Sequence, residues 1–113
     1  MCSSDLKNME TVGRHRAEIE SMRLMTLKAA RAMDVLGNKE ARVFVSAVKA
    51  TVPEKVCRII DDAIQMHGAT GLSNWTPLAK MYTQQRTLRF ADGPDEVHHM
   101  VVGRNEVRKY DLW

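Results

Sequence analysis

The sequence predicts an all-α protein, an up-down bundle of about four helices. Three observations carry this. Ala, Met, Leu, Glu, Lys and Arg are plentiful while aromatics make up 5% of the 113 residues, a composition that favours helix. Apolar residues recur at three- and four-residue steps over most of the chain. Only three prolines and six glycines interrupt that periodicity.

The first helix is expected from about Met9 to Leu36. Ile19, Met22, Met25, Ala29, Ala32, Met33 and Leu36 share one face. Gly37 should close it in the left-handed conformation, and Asn38 should cap the next helix. The second runs from about Lys39 to His67 on a stripe of Ala41, Phe44, Val45, Val48, Val52, Val56, Ile59, Ile60, Ala63 and Ile64. Pro53 removes one backbone donor and crowds the preceding turn. A kink near 49–53 is expected, with a full break as the alternative; the uninterrupted stripe favours the kink. Residues 68–76 read as a loop by composition. Thr76 and Pro77 then form a helix start, a hydroxyl cap followed by proline at the first helical position. The third helix carries Leu78, Met81, Tyr82, Gln85 and Leu88 and ends near Phe90. The fourth starts at Gly93 or Pro94, runs to about Tyr110, and leaves a tail ending in Trp113.

Residues 1–6, MCSSDL, match no helical pattern. GTG-TGC-TCT-TCC-GAT-CTN, a sequencing-adapter tail read through a GTG start, encodes these residues. Residues 1–8 are therefore expected to be a non-native or disordered leader before a helical domain over 9–113. On that reading the chain is a truncated piece of a longer protein, with the missing part upstream.

Formal charge is +3, with basic residues scattered rather than gathered into the stripe that nucleic acid requires. The two cysteines, Cys2 and Cys57, are too few for a disulfide framework, and Cys57 reads as a small buried apolar residue. No apolar run approaches a membrane span, and the N-terminus lacks the order of a signal peptide. A cytoplasmic protein fits.

Asp92-Gly93-Pro94-Asp95-Glu96 has a structural explanation: Asp92 or Gly93 caps the helix, Pro94 opens it, and the two acids favour its dipole. The functional alternative places Asp92 at the lip of a cleft as a general base. Glu96 and His99 have the spacing of a carboxylate-bridged metal site, but no second Glu-x-x-His accompanies them, so no metal is expected. Gly68 and Gly71 permit close approach of a phosphate, though their usual meaning is a helix stop. His67 reads as a partner of the helix C-terminal dipole. Arg86 and Arg89 read as a solvated face, with an anionic contact as the alternative.

Together, AIQMHGATGL at 63–72, PLAKMY at 77–82 and RTLRFADGPDEVH at 86–98 resemble the C-terminal helical domain of flavin-dependent acyl-CoA dehydrogenases. The ADGPDEVH form, with MRLMTLKAARAMD at 22–34, resembles a subgroup in which this enzyme can be fused to a phosphotransferase-like domain. The resemblance covers nearly everything after about residue 9. It implies a three-domain flavoenzyme that binds FAD and removes two hydrogens from an acyl-CoA. This chain would supply most of the last domain, its first helix missing. In most members a glutamate before the turn glycine is the base; Asp92 stands there. The resemblance assigns Gln65 and the backbone of Met66, His67, Gly68 and Ala69 to the flavin pyrophosphate of a neighbouring subunit. Gly68-Ala69 replaces a usual Gly-Gly pair. Gly93 falls to the thioester region of the substrate. Pro94, Asp95 and Glu96 fall to the flavin adenosine, with Pro94 replacing a common threonine and Glu96 a common glutamine. An Arg-Asp pair common in the third helix is replaced by Thr83-Gln84. Implied partners are further copies, as a homodimer or homotetramer, and an electron-transfer flavoprotein. The fragment alone is expected to be inactive, and to expose an apolar patch where its partner domains are cut away. The alternative is a stand-alone helical module that binds a partner through that face.

Overall fold

The computed structural model describes residues 3–110, so Met1, Cys2 and the Trp113 tail lie outside the described residues. Five helices follow in order: α1 (Ser3–Leu36), α2 (Asn38–Met66), α3 (Ala69–Leu72), α4 (Leu78–Thr87) and α5 (Asp95–Arg108). The fold is the expected all-α bundle with one short helix added.

α1 begins at Ser3, upstream of the start near Met9 that periodicity suggested. Residues 5–10 are exposed, so helix extends there without an apolar face. Local pairs on the next turns, Arg14 with Glu10 and Arg16 with Glu20, support such a solvated stretch. At 1.5 Å per residue a 34-residue helix spans about 51 Å, which accounts for the 53 Å long axis of the molecule.

A single residue joins α1 to α2. Gly37 has φ 84° and stands at the N-cap, with no side-chain capping bond. Asn38 is therefore the first helical residue rather than the cap, because the one-residue link is consumed by the glycine turn. α2 passes Pro53 without the alternative break, and Pro53 is buried. The segment over 68–76 is not all loop: Ala69–Leu72 forms one helical turn. Gly71 makes this possible, since a β-carbon there would lie 2.5 Å from the Ile64 carbonyl oxygen. Thr76 bridges to α4 by donating its hydroxyl to Gly71 O (3.0 Å) and accepting from Leu78 N–H (3.5 Å). α4 opens at Leu78, one residue after Pro77, and tight turns extend it to Phe90.

α2 is the hub. Among the described elements, α1 packs on α2 alone, while α3, α4 and α5 each pack on other parts of it. α1 and α2 run antiparallel: Met33 lies beside Val45, Thr26 beside Val52, and His15 meets Asp62. The buried face of α2 is Ala41, Ser46, Ala50, Pro53, Cys57 and Ile60, largely small residues that let neighbouring helices approach closely. Burial raises the Cys57 thiol pKa against the pull of Arg89 and Arg86, consistent with an inert core residue. The far side of α1 is uncovered, with Leu24, Leu27 and Val35 each more than half exposed.

Candidate functional site

The turn between α4 and α5 holds the candidate base. Asp92 is in the left-handed region at φ 58°, the one described residue other than glycine with positive φ. Gly93 follows at φ 105°. Two consecutive positive φ values reverse the chain between α4 and α5. Such a conformation costs an L-residue roughly 1 kcal/mol, less for aspartate than for most. Gly93 cannot carry a side chain: besides its φ, a β-carbon would stand 3.1 Å from His98 Nε2.

The N-cap position of α5 is occupied by Pro94, and no side chain caps it. Asp92 is therefore not a helix cap, which removes the structural explanation favoured by its spacing. Its side chain is exposed, and among the described residues its carboxylate has no hydrogen-bond or ion-pair partner. A strained, unpaired carboxylate at a pinned turn is available to a ligand rather than engaged by the fold.

Three residues of α2 and α5 pin this turn, none singled out by sequence. Lys49 Nζ donates to Gly93 O at 3.1 Å. His98 Nε2 donates to Asp92 O at 3.0 Å, since a carbonyl can only accept. His98 Nδ1 pairs with the buried hydroxyl of Ser46 at 3.2 Å. The available signal was Ser46 and Lys49, two polar residues one turn apart inside an apolar stretch of α2.

Asp95 is buried, and its Oδ2 accepts from Arg89 Nε at 2.7 Å. That bond raises the Arg89 pKa above its ordinary value. Arg89 is thus engaged within the chain, while Arg86 stacks its guanidinium 4.7 Å from the Phe90 ring centre. Asp95 Oδ1 is buried without a hydrogen-bond partner. Glu96 and His99 are exposed, and among the described residues no group of three or more His, Cys, Asp or Glu is placed to hold a metal.

Residues 65–69 lie elsewhere. Gln65 and Met66 end α2, His67 Nδ1 lies 2.8 Å from Ala63 O as a C-terminal dipole partner does, and Gly68 has φ 62° with open space around it. All five are exposed. The turn at 92–93 is pinned at Ser46 and Lys49. From Lys49 to Gln65 is about 24 Å of helix. One chain therefore does not bring the two candidate segments together.

Residues 9–107 match the family model described as Acyl-CoA dehydrogenase, C-terminal domain. The chain is 50% identical over 97 residues to acyl-CoA dehydrogenase family member 10 of Mus musculus, covering 86% of this chain and 9% of that protein. It is 46% identical over 100 residues to the acyl-CoA dehydrogenase FadE2 of Mycobacterium tuberculosis, covering 88% and 25%. A solved acyl-CoA dehydrogenase structure from Mycobacterium abscessus superimposes with a TM-score of 0.89 at 46% identity, over 91% of this chain and 25% of that one. The chain thus spans between about a tenth and a quarter of the length of these relatives. With the helix order, the pinned Asp92-Gly93 turn and these matches in agreement, the chain belongs to the acyl-CoA dehydrogenase family and carries its C-terminal helical domain.

Proposed function

We propose that the whole protein is an FAD-dependent acyl-CoA dehydrogenase in which Asp92 is the catalytic base. The observation that carries this is the Asp92 carboxylate, exposed, unpartnered and held on a turn that the fold pins from two sides. The thioester acidifies the α-proton of the substrate, and Asp92 removes it. Gly93 lets the His98 ring pack against the turn that carries this carboxylate. FAD, when bound, would supply the acceptor for the β-hydrogen, which leaves as hydride. The task of this chain is to hold the base and exclude water.

The residues fit FAD in two separate places. Open space at Gly68 gives a pyrophosphate access to the Ala69 N–H at the start of α3, while the N–H groups of His67 and Gly68 are bonded to the end of α2. Glu96 is exposed and can accept from ribose hydroxyls. Pro94 offers no N–H, and the Asp95 carboxylate is turned inward onto Arg89. The Asp95 contribution falls to its backbone N–H, which points out of the helix N-terminus. The separation along α2 suits contacts to the flavins of two different subunits. The uncovered apolar residues of α1 suit burial against the remainder of a homodimer or homotetramer. An electron-transfer flavoprotein is the proposed electron acceptor, and the cytoplasm the proposed compartment. The chain by itself is expected to be inactive.

The test is to recover the full-length protein and follow its visible spectrum with acyl-CoA. A yellow protein that bleaches on adding acyl-CoA supports the proposal. Asp92→Asn should bind substrate yet bleach about 10²–10⁴-fold more slowly. Bleaching at an unchanged rate removes Asp92 as base, and a colourless full-length protein removes the enzyme reading.

A further inference from the structure

We propose that the cleft between the start of α2 and the end of α5 binds the phosphate group of a small phosphorylated ligand. The cleft has a volume of about 230 Å³. Lys39 and Arg42 approach it from the first turns of α2, and Arg104 and Arg108 from the last turns of α5. The antiparallel seam thus brings together four cations that lie far apart in sequence. Val43 and Val101 form an apolar floor, and Glu40 is the one carboxylate on the lining.

Five of the cations outside the cleft, Arg14, Arg16, Arg58, Arg89 and Lys109, have acidic partners among the described residues. Among the described residues no cleft cation has an ion-pair partner. Arg104 Nη2 reaches only the Met100 sulfur, at 3.6 Å. Glu106, the acid nearest the α5 pair in sequence, is committed to Lys109 and Tyr110. Four like charges around one small space repel one another, and a multivalent anion relieves that repulsion.

Phosphate suits this lining better than a carboxylate. Three guanidinium groups present forked donors to tetrahedral oxygens. The N-terminus of α2 lies in the same place, with no side-chain cap on its free N–H groups. No aromatic lines the cleft, so nothing there stacks a base, and the recognised part is the phosphate itself. α5 separates this cleft from Asp92 by about 20 Å, so its failure would leave the dehydrogenase proposal untouched.

The experiment titrates the 113-residue chain with inorganic pyrophosphate, followed by calorimetry and amide chemical shifts. Saturable binding is expected, with shifts confined to residues 38–43 and 101–108. Arg42→Gln with Arg104→Gln should weaken it at least tenfold, while Arg16→Gln on α1 leaves it unchanged. Lys39→Gln with Arg108→Gln is the second pair, should the first fail to fold. Malonate, a dianion without phosphorus, should bind at least tenfold more weakly. Binding unaltered in a folded double variant, malonate equal to pyrophosphate, or no saturation at millimolar pyrophosphate would each overturn the proposal.

Discussion

Gly71→Ala should unseat α3 from the last turns of α2. A β-carbon at residue 71 would stand 2.5 Å from Ile64 O and 2.9 Å from Ile64 Cα. Both are backbone atoms within a 29-residue helix, so neither can rotate away as a side chain could. Overpacking of a well-filled site costs about 1–3 kcal/mol, and rigid backbone on the far side puts the value near 3. The chain's other relief is to lift α3, which strains the bonds from Gly68 N to Gln65 O and from Thr76 Oγ1 to Gly71 O. Thermal unfolding followed by circular dichroism should show a midpoint lowered by on the order of 10 °C. Amide exchange should accelerate over residues 68–76 first. Gly13→Ala is the matched control, because Gly13 lies within α1 with nothing near its missing β-carbon. There alanine should stabilise by about 0.5–1 kcal/mol. A Gly71→Ala protein with the parent midpoint and parent exchange rates would refute the seating of α3. The presentation of residues 65–69 argued above would fail with it.

Two further perturbations follow from named contacts. Burial lowers the His15 pKa, but its bonds to Asp62 and Glu18 outweigh that and raise it above 6.5. Both ring nitrogens face carboxylates, at 2.6 Å and 2.9 Å, so the charged ring is the one that fits. The sign follows: the α1–α2 link contributes fully below pH 6.5 and is lost as pH rises through the higher folded value. Denaturant titrations from about pH 6 to 8.5 should show stability falling by about 1 kcal/mol, and His15→Gln should flatten that slope. Arg89→Leu should cost about 3 kcal/mol, because it leaves Asp95 buried with neither oxygen partnered. Adding Asp95→Leu should recover most of the loss, measured by the same unfolding curves.

The sequence by itself determined four of the five described helices and the family resemblance. Helix is a local structure, so its signals are local: the apolar steps of α1 and α2, the glycine at 37, the proline at 77. These placed most boundaries within a residue or two. The departures have local reasons as well. Asn38 lost the cap because Gly37 alone makes the link. Residues 3–8 are helical although nothing in them repeats with an apolar period. The motif over 63–98 named the family because its order and spacing are specific, and the matches agree.

Only the tertiary structure decided how Asp92 is held in this fold. Its spacing suited a cap, yet Pro94 holds the cap position and Asp92 lies in the left-handed region. That conformation is imposed from a distance, by Lys49 and by the His98–Ser46 pair, which are 43 or more residues from Asp92 or 52 from one another. No local pattern encodes such a clamp. The same holds for the Lys39, Arg42, Arg104 and Arg108 cleft. In sequence these charges read as scattered, because each is remote from those across the seam. Antiparallel packing of α5 on α2 gathers them, since it places the end of one helix beside the start of the other.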